Sequence, residues 1–305
     1  MNVQNNNIYH IPALLEDSIC ALDIKPGGIY VDATFGGGGH SRAIMERLDS
    51  EGRLFGFDQD LDALANALPD PRFTFVRSNF RYMPNFLRYY GVDKVDGILA
   101  DLGVSFHHFD EADRGFSFRM DAPLDMRMNQ KGNLTAAAYI NEASEEDLLF
   151  TFRSGSDLDN VKRIVNAIVK ARDSKPIATT TDLVEVVSPL LNPRNEKKDM
   201  AQVFQALRMT INGEIHALVE FLNNCSKILK PGGRLAIITY HSREDRLVKN
   251  LMKTGNTDGI QTQDFFGRVD KSWKLITRSP ITPSPEEIER NPRSRSAKLR
   301  VAEFL

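Results

Sequence analysis

Residues 28–40, GIYVDATFGGGGH, constrain the chain more than any other stretch. Ile29, Tyr30 and Val31 are a short β-prone run entered through Pro26-Gly27-Gly28, which predicts a buried strand. Asp32 closes the run and four glycines follow. His40 and Ser41 then open an apolar-periodic segment (Ala43, Ile44, Leu48) that predicts a helix. Strand, glycine loop, helix is the opening unit of a nucleotide-binding α/β sheet: the glycines let a ligand approach the backbone, and the helix N-terminus faces it. A tight strand-to-helix turn without a ligand would use the same residues. Two acids narrow the choice of ligand. Asp32 precedes the glycines, where a dinucleotide phosphate would be repelled and a cationic amino-acid group welcomed. Asp58 ends the next apolar run, residues 53–57, where it can accept hydrogen bonds from ribose hydroxyls. Ser41 stands where the NAD fingerprint has its third glycine. The pattern suits S-adenosylmethionine better than NAD.

Composition sets outer limits. A chain of 305 residues can bury a full core and has room for one large domain plus a smaller one. A net charge of −2 gives no global nucleic-acid signal, so any RNA surface must be local. Cys20 and Cys225 belong to no Cys-x-x-Cys pair, which argues against a disulfide framework or a zinc site; no metal is expected. The first ten residues lack the apolar core of a signal peptide and no stretch approaches a membrane span, so the expectation is a cytoplasmic protein. A homodimer is compatible with the sequence, because an interface stripe reads like core.

Strand and helix signals alternate after the glycine loop: strand 53–57, helix 61–68, strand 72–76, helix 84–90, strand 95–100. The alternation predicts right-handed βαβ units and a parallel sheet. Ligands of such sheets sit beyond the carboxyl ends of the strands. Asp32, Asp58, Phe80 and Asp101 each fall just after a predicted strand, so all four should gather at one rim. Phe80 is placed to cover an adenine face or to serve as a core aromatic under a loop. Asp101, opening DLGVS, is where a methyltransferase presents the group that meets its target atom; capping of the next turn is the other use.

From about residue 106 the βαβ rhythm stops. A loop rich in Arg, Phe and Met (RGFSF, LDMRM) is followed by helices: Ser144 with Asp147 makes a cap before Leu148, Leu149 and Phe152. Val161, Ile164, Val165 and Ile168 form one helical stripe, and Leu183, Val184 and Val187 another. Lys197 and Lys198, beside Asn192-Pro193, read as a solvated turn. The expected organisation is a discontinuous α/β domain, residues 1–105 and 206–305, carrying an inserted, mostly helical substrate-recognition subdomain, residues 106–205.

The sheet signals resume near residue 214 with an amphipathic helix (Ile215, Leu218, Val219, Leu222), then Lys230-Pro-Gly-Gly233 and an apolar strand, 234–239. Helix, Pro-Gly-Gly turn, strand is a recurring late element of Rossmann-like methyltransferases. Tyr240-His-Ser-Arg-Glu-Asp-Arg246 leaves that strand at the same rim; no Gly-x-Ser-x-Gly elbow surrounds Ser242, so a hydrolase triad is not indicated. The tail, residues 290–300, has five basic side chains and no acid, which suits phosphate binding. Leu299 and Val301 make its end a candidate strand.

Nine ordered blocks (HIPALL, YVDATFGGGGHS, GRLFGFDQD, VDGILADLGVS, RGFSF, PLDMRMN, FQALRMTIN, PGGRLAIITYHSREDR and NPRSRSAKLR) resemble the bacterial small-subunit ribosomal RNA methyltransferase H family over nearly the whole chain. The resemblance implies a Rossmann-like fold with an inserted helical subdomain, and S-adenosylmethionine-dependent methylation of the exocyclic N4 of a cytidine in the decoding centre of 16S rRNA. It implies cofactor contacts at Gly38, Gly39, His40, Asp58, Phe80 and Asp101, with Asp32 meeting the methionine amino group or fixing the loop. Asp101 is the candidate catalytic acceptor. Phe106, Phe116 and Phe118 are candidates for stacking on an extruded base, and His241, Arg293 and Arg295 for RNA contact. The chain departs from the family in three places. DLGVSFHHFD replaces the usual DLGVSSPQLD, putting His108 at the position of a cofactor-contacting glutamine. TYHSREDR replaces SFHSLEDR. Lys198-Asp-Met-Ala-Gln-Val203 replaces a His-Pro-Ala-Thr-Arg-Thr run before FQALR. Three rival readings use the same features: a methyltransferase of this fold acting on another RNA, a protein or a small molecule; a ribosome-assembly factor that binds rRNA without catalysis; and an NAD-dependent oxidoreductase, which the missing third glycine disfavours.

Overall fold

The computed structural model describes residues 12–103, 112–261 and 271–305. Phe106 and His108 lie outside them. The chain divides into two compact units, residues 1–103 with 216–305, and residues 104–215.

The first unit is built on a seven-stranded sheet. In chain order its strands are β1 (Ile29–Asp32), β2 (Arg53–Asp58), β3 (Phe73–Arg77), β4 (Val95–Asp101), β5 (Leu229–Thr239), β6 (Trp273–Leu275) and β7 (Lys298–Phe304). Their order across the sheet is β3-β2-β1-β4-β5-β7-β6. The first five are parallel, whereas β7 runs antiparallel between β5 and β6. Strand order therefore reverses between β1 and β4, the position where an open α/β sheet binds its ligand. The predicted tail strand is present, with Leu299 and Val301 fully buried. Lys230-Pro-Gly-Gly233 bulges out of β5: Leu229 pairs with Val95 and the next paired residue, Arg234, with Gly97.

Alternation along the strands explains the layering, because successive side chains point to opposite faces. Val31, Phe55, Phe57, Ile98, Ala100, Leu235 and Ile237 belong to one core. Helices α3 (Met83–Tyr89), α9 (Glu214–Ile228) and α10 (Ser242–Thr254) cover it with Met83, Leu87, Phe221, Leu222, Val248 and Leu251. Their neighbours Tyr30, Leu54, Leu99, Ala236 and Ile238 belong to the opposite core, with Ile19 and Leu22 of α1 (Leu15–Leu22) and Ile44 of α2 (Gly39–Met45). The helix expected over 61–68 shrinks to a 3₁₀ turn, Asp62–Asn66. Leu61 and Leu64 are half exposed and within the turn only Ala63 is buried, which gives a longer helix little apolar support, and Leu68 precedes Pro69, which disfavours helical backbone.

The second unit contains α4 (Ala136–Glu142), α5 (Glu145–Gly155), α6 (Val161–Ser174), α7 (Thr180–Val187) and α8 (Glu196–Ile211) among its described residues. Ser144 caps α5, accepting from the Asp147 N–H at 3.1 Å, and Thr179 with Asp182 forms a full capping box on α7. The stripes foreseen in α6 and α7 pack into one core with Phe152, Val203, Phe204 and Leu207, all buried except Val184, which is partly so. This corrects the expected boundary at 206, which falls inside α8. Val203, Phe204, Ala206 and Leu207 all sink into the helical core, so the chain leaves this unit only near residue 215. Lys197 and Lys198 also move, from an expected turn to the exposed first turn of α8.

Helices α5 and α8 touch at Gly155. A Cβ there would lie 2.5 Å from Ala206 Cβ and 2.6 Å from Ala206 Cα, so only glycine permits this approach. Gly155→Ala should destabilise the helical unit by about 1–3 kcal/mol. The check is a lowered urea midpoint, read by backbone-resolved hydrogen exchange over residues 136–211.

Candidate active site

The glycine loop is held from below by its own sequence and from the side by two strands. The Ala33 N–H donates to Leu99 O of β4 at 2.8 Å, and the Phe35 N–H to Phe57 O of β2 at 2.8 Å. Gly38 takes a left-handed conformation (φ +73°), and a Cβ on it would sit 2.9 Å from the Phe35 ring. A Cβ on Gly39 would meet Pro12 Cγ at 2.2 Å. The glycine at 39 is thus demanded by the lead-in segment, whatever ligand the loop takes.

Asp32 and Asp58 grip this loop from either side. Asp32 is buried; Oδ2 accepts from the Ser41 hydroxyl at 2.7 Å and Oδ1 from the Thr34 N–H at 3.2 Å. These two hydrogen bonds tie Asp32 to the start of the glycine loop and to α2. Asp58, half-buried, accepts from the Gly36 N–H at 2.8 Å and the Asp60 N–H at 2.8 Å. The Asn66 side chain donates to Gly36 O at 3.1 Å from the far side.

Asp101 stands at the end of β4. Its N–H donates to Thr34 Oγ1 at 2.6 Å, and its Oδ1 accepts from the Tyr240 hydroxyl at 2.8 Å. Oδ2 has no hydrogen bond among the described residues. Tyr240 leaves β5 with its N–H bonded to Glu244 Oε2 at 3.1 Å. Thr34, Ser41, Tyr240 and Glu244 are the supporting residues that sequence reasoning missed. The one signal for Tyr240 was its place directly after β5, the parallel neighbour of β4.

Crowded acids perturb one another. Burial raises Asp101 to about 7; the Tyr240 hydrogen bond opposes the rise, and the Asp32 and Glu244 carboxylates add to it. Burial likewise raises Asp32 to about 6, against the Ser41 and Thr34 hydrogen bonds and with help from Asp58. His40, 5% exposed, is lowered to about 4 by burial, opposed by its bond to the Ala13 backbone, so the ring is neutral at pH 7. Its Nε2 has no hydrogen-bond partner among the described residues.

Other expected site residues have structural duties. Phe80 sits just after β3, half-buried, with its ring edge-to-face against Phe221 of α9 at 5.1 Å. His241 caps α10: Nδ1 accepts from the Glu244 N–H at 3.4 Å, and Nε2 lies 3.0 Å from Glu244 Oε1. Phe116 is buried in the helical core beneath the Arg114 guanidinium, and Phe118 packs edge-on against Phe204 at 5.4 Å. Phe116 is thus part of the helical core, while Phe118, a further candidate for base stacking, is only partly buried. Arg293 and Arg295 are exposed on a 3₁₀ turn, Pro292–Ser296, while Arg300 is tied bidentately to Asp245 at 2.6 and 3.0 Å. No group of three or more metal-ligating side chains occurs among the described residues, and no described helix is long and apolar enough to cross a membrane.

Residues 7–305 match the MraW methylase family. The chain belongs to that family. Among curated relatives, the ribosomal RNA small subunit methyltransferase H of Phocaeicola vulgatus is 58% identical over 296 residues, 97% of each chain. The protein of the same name from Parabacteroides distasonis is 56% identical over 301 residues, 98% of this chain and 99% of its own. Solved structures are far more distant. A putative rRNA-methylase from Clostridium thermocellum reaches a TM-score of 0.46 at 14% identity, covering 97% of this chain and all of its own. A likeness at that level adds nothing to the assignment. The glycine loop and the carboxyl ends of β2, β4 and β5 lie within the matched residues and at one rim of one sheet.

The raised Asp32 gives a testable sign. Its native form holds a proton over a range where the unfolded chain has lost it, so its contribution to stability is present below about pH 3.8 and lost as pH rises through about 6. Asp32→Asn should therefore melt progressively higher relative to the parent protein from about pH 4 to about pH 6 and hold that difference up to pH 8, by roughly 2–4 °C for each kcal/mol removed. Parallel calorimetric scans check this; a pH-independent difference would refute it.

Proposed function

We propose that this chain transfers a methyl group from S-adenosylmethionine to the exocyclic N4 of one cytidine in the decoding centre of 16S rRNA, with the small ribosomal subunit as its partner. The observation that carries the reading is Asp101: a carboxylate with one oxygen held by Tyr240 and the other without a hydrogen bond among the described residues, at the end of β4 beside the glycine loop. The names of the relatives support rRNA of the small subunit as the substrate.

The donor set fits the cofactor. Three carboxylates at the ends of β1, β2 and β4 favour a cationic ligand and disfavour a pyrophosphate. When bound, S-adenosylmethionine supplies a methyl carbon made electrophilic by a sulfonium. Asp58, at the end of β2, accepts from ribose hydroxyls, and Asp32 keeps the loop in shape. Gly38, Gly39 and the buried His40 belong to the loop, and Phe80, following β3, completes the candidate cofactor contacts.

Cytosine N4 is a weak nucleophile because its lone pair is delocalised into the ring. Asp101 accepts a hydrogen bond from the amino group, favouring a tetrahedral nitrogen, and stabilises the positive charge that grows there. Once the nitrogen carries the methyl group, its surplus proton passes to Asp101 and on to solvent. Alignment does the rest, and in favourable cases is worth about 7–11 kcal/mol. Arg293 and Arg295 hold RNA phosphate from the exposed turn.

The decisive experiment incubates small subunits lacking the modification with this protein and labelled S-adenosylmethionine, then analyses the nucleosides. N4-methylcytidine at a single decoding-centre site is the expected product; bound cofactor without that nucleoside would overturn the proposal. Asp58→Ala should raise the cofactor Kd roughly 10- to 100-fold, as expected for a lost charged hydrogen-bonding group. Its single-turnover rate at saturating cofactor should change far less, as checked by rapid quench.

A further inference from the structure

Tyr240 is not accounted for by the reaction as described. It follows β5 directly, and its ring packs against Gly103, where a Cβ would lie 3.3 Å from Tyr240 Cδ2. Gly103 has φ +120°, a conformation other residues rarely adopt, so the close approach of ring and backbone is built in. The Tyr240 N–H is fixed by Glu244 Oε2 at 3.1 Å, and its hydroxyl reaches Asp101 Oδ1 at 2.8 Å across two adjacent strands. On the other side, the Asp101 N–H is fixed by Thr34 Oγ1 at 2.6 Å. The carboxylate is thereby held at both its main chain and one oxygen.

We propose that Tyr240 is a positioning residue: its hydroxyl turns the Asp101 carboxylate so that Oδ2 faces the reacting amine and remains a hydrogen-bond acceptor. The proposal rests on the reading of Asp101 given above. The charged groups facing Asp101 among the described residues are Asp32 from β1 and Glu244 from α10; both are acids and both favour its protonated form. A protonated Asp101 has lost much of its capacity to accept from the amine. Of these neighbours, the Tyr240 hydroxyl is the one that favours the ionised form, by donating to it. The residue therefore acts twice, on direction and on charge.

The test is Tyr240→Phe, which keeps the ring against Gly103 and removes only the hydroxyl. Carboxyl titration by carbon NMR on aspartate-labelled protein, with the Asp101 resonance identified through Asp101→Asn, needs neither cofactor nor RNA. In Tyr240→Phe the Asp101 midpoint should move up by roughly one unit. With an initial midpoint near 7, turnover at pH 7 then falls about fivefold and recovers by about pH 9, while the cofactor Kd stays within about twofold. An unmoved titration midpoint, or a loss of turnover equal at all pH values, would overturn the proposal. The activity of the unaltered protein on small subunits tests the reaction separately, so failure of the function and failure of the positioning role are distinguishable.

Discussion

Like charges held close together in a poorly solvated place repel, and this protein brings Asp32, Asp58 and Asp101 to the ends of three adjacent parallel strands. Topology does this unavoidably: parallel strands end on the same side, and each of these ends in an acid. Asp32 and Asp101 are raised, chiefly by burial and further by the neighbouring acids. The repulsion is met by donors, namely the Ser41 and Tyr240 hydroxyls and the N–H groups of Thr34, Gly36 and Asp60. A cation arriving at this rim would relieve repulsion that the protein otherwise bears alone.

The same acids also organise the backbone around them. Asp32 ties β1 to α2 through Ser41, and Asp58 ties the end of β2 to the glycine loop through Gly36. Phe35, between them, lies 5.2 Å from Phe73 and 5.4 Å from Phe75, anchoring the loop on the apolar side. Loop shape and local charge are therefore one property. A substitution at either acid changes both, which is why binding and turnover must be separated in any mutant.

The sheet was legible because its physics is local. Short β-branched and aromatic runs ended by acids fixed the strands, and with them the rim positions of Asp32, Asp58 and Asp101. What needed the structure was non-local. Tyr240 reaches Asp101 across 139 positions of sequence, and Pro12 dictates Gly39 through packing that no glycine motif announces. Phe116 and Phe118 were ambiguous because an aromatic residue near a site and an aromatic residue in a core look alike in sequence. The expected domain boundary at 206 falls within α8, whose apolar stripe runs straight past it, whereas the resumption of sheet signals near residue 214 was legible. His241 was noticed for its chemistry and proved to be a helix cap, a use rarely given to histidine.

The insertion between β4 and β5 bears on how the chain acquires this sheet. Strands β4 and β5 are neighbours, yet one ends at Asp101 and the other starts at Leu229, so their pairing must close a very long loop. Closure entropy grows only logarithmically, about 0.6 kcal/mol per doubling of length, so the insertion costs the finished fold little. Its cost is in time, since non-local pairing is slow when everything between is unstructured. The inserted unit has its own core and can form before this pairing, bringing Met128 to Asn212 and turning a long search into a shorter one. The Asp101–Tyr240 hydrogen bond spans this junction, so it forms only after that search is over.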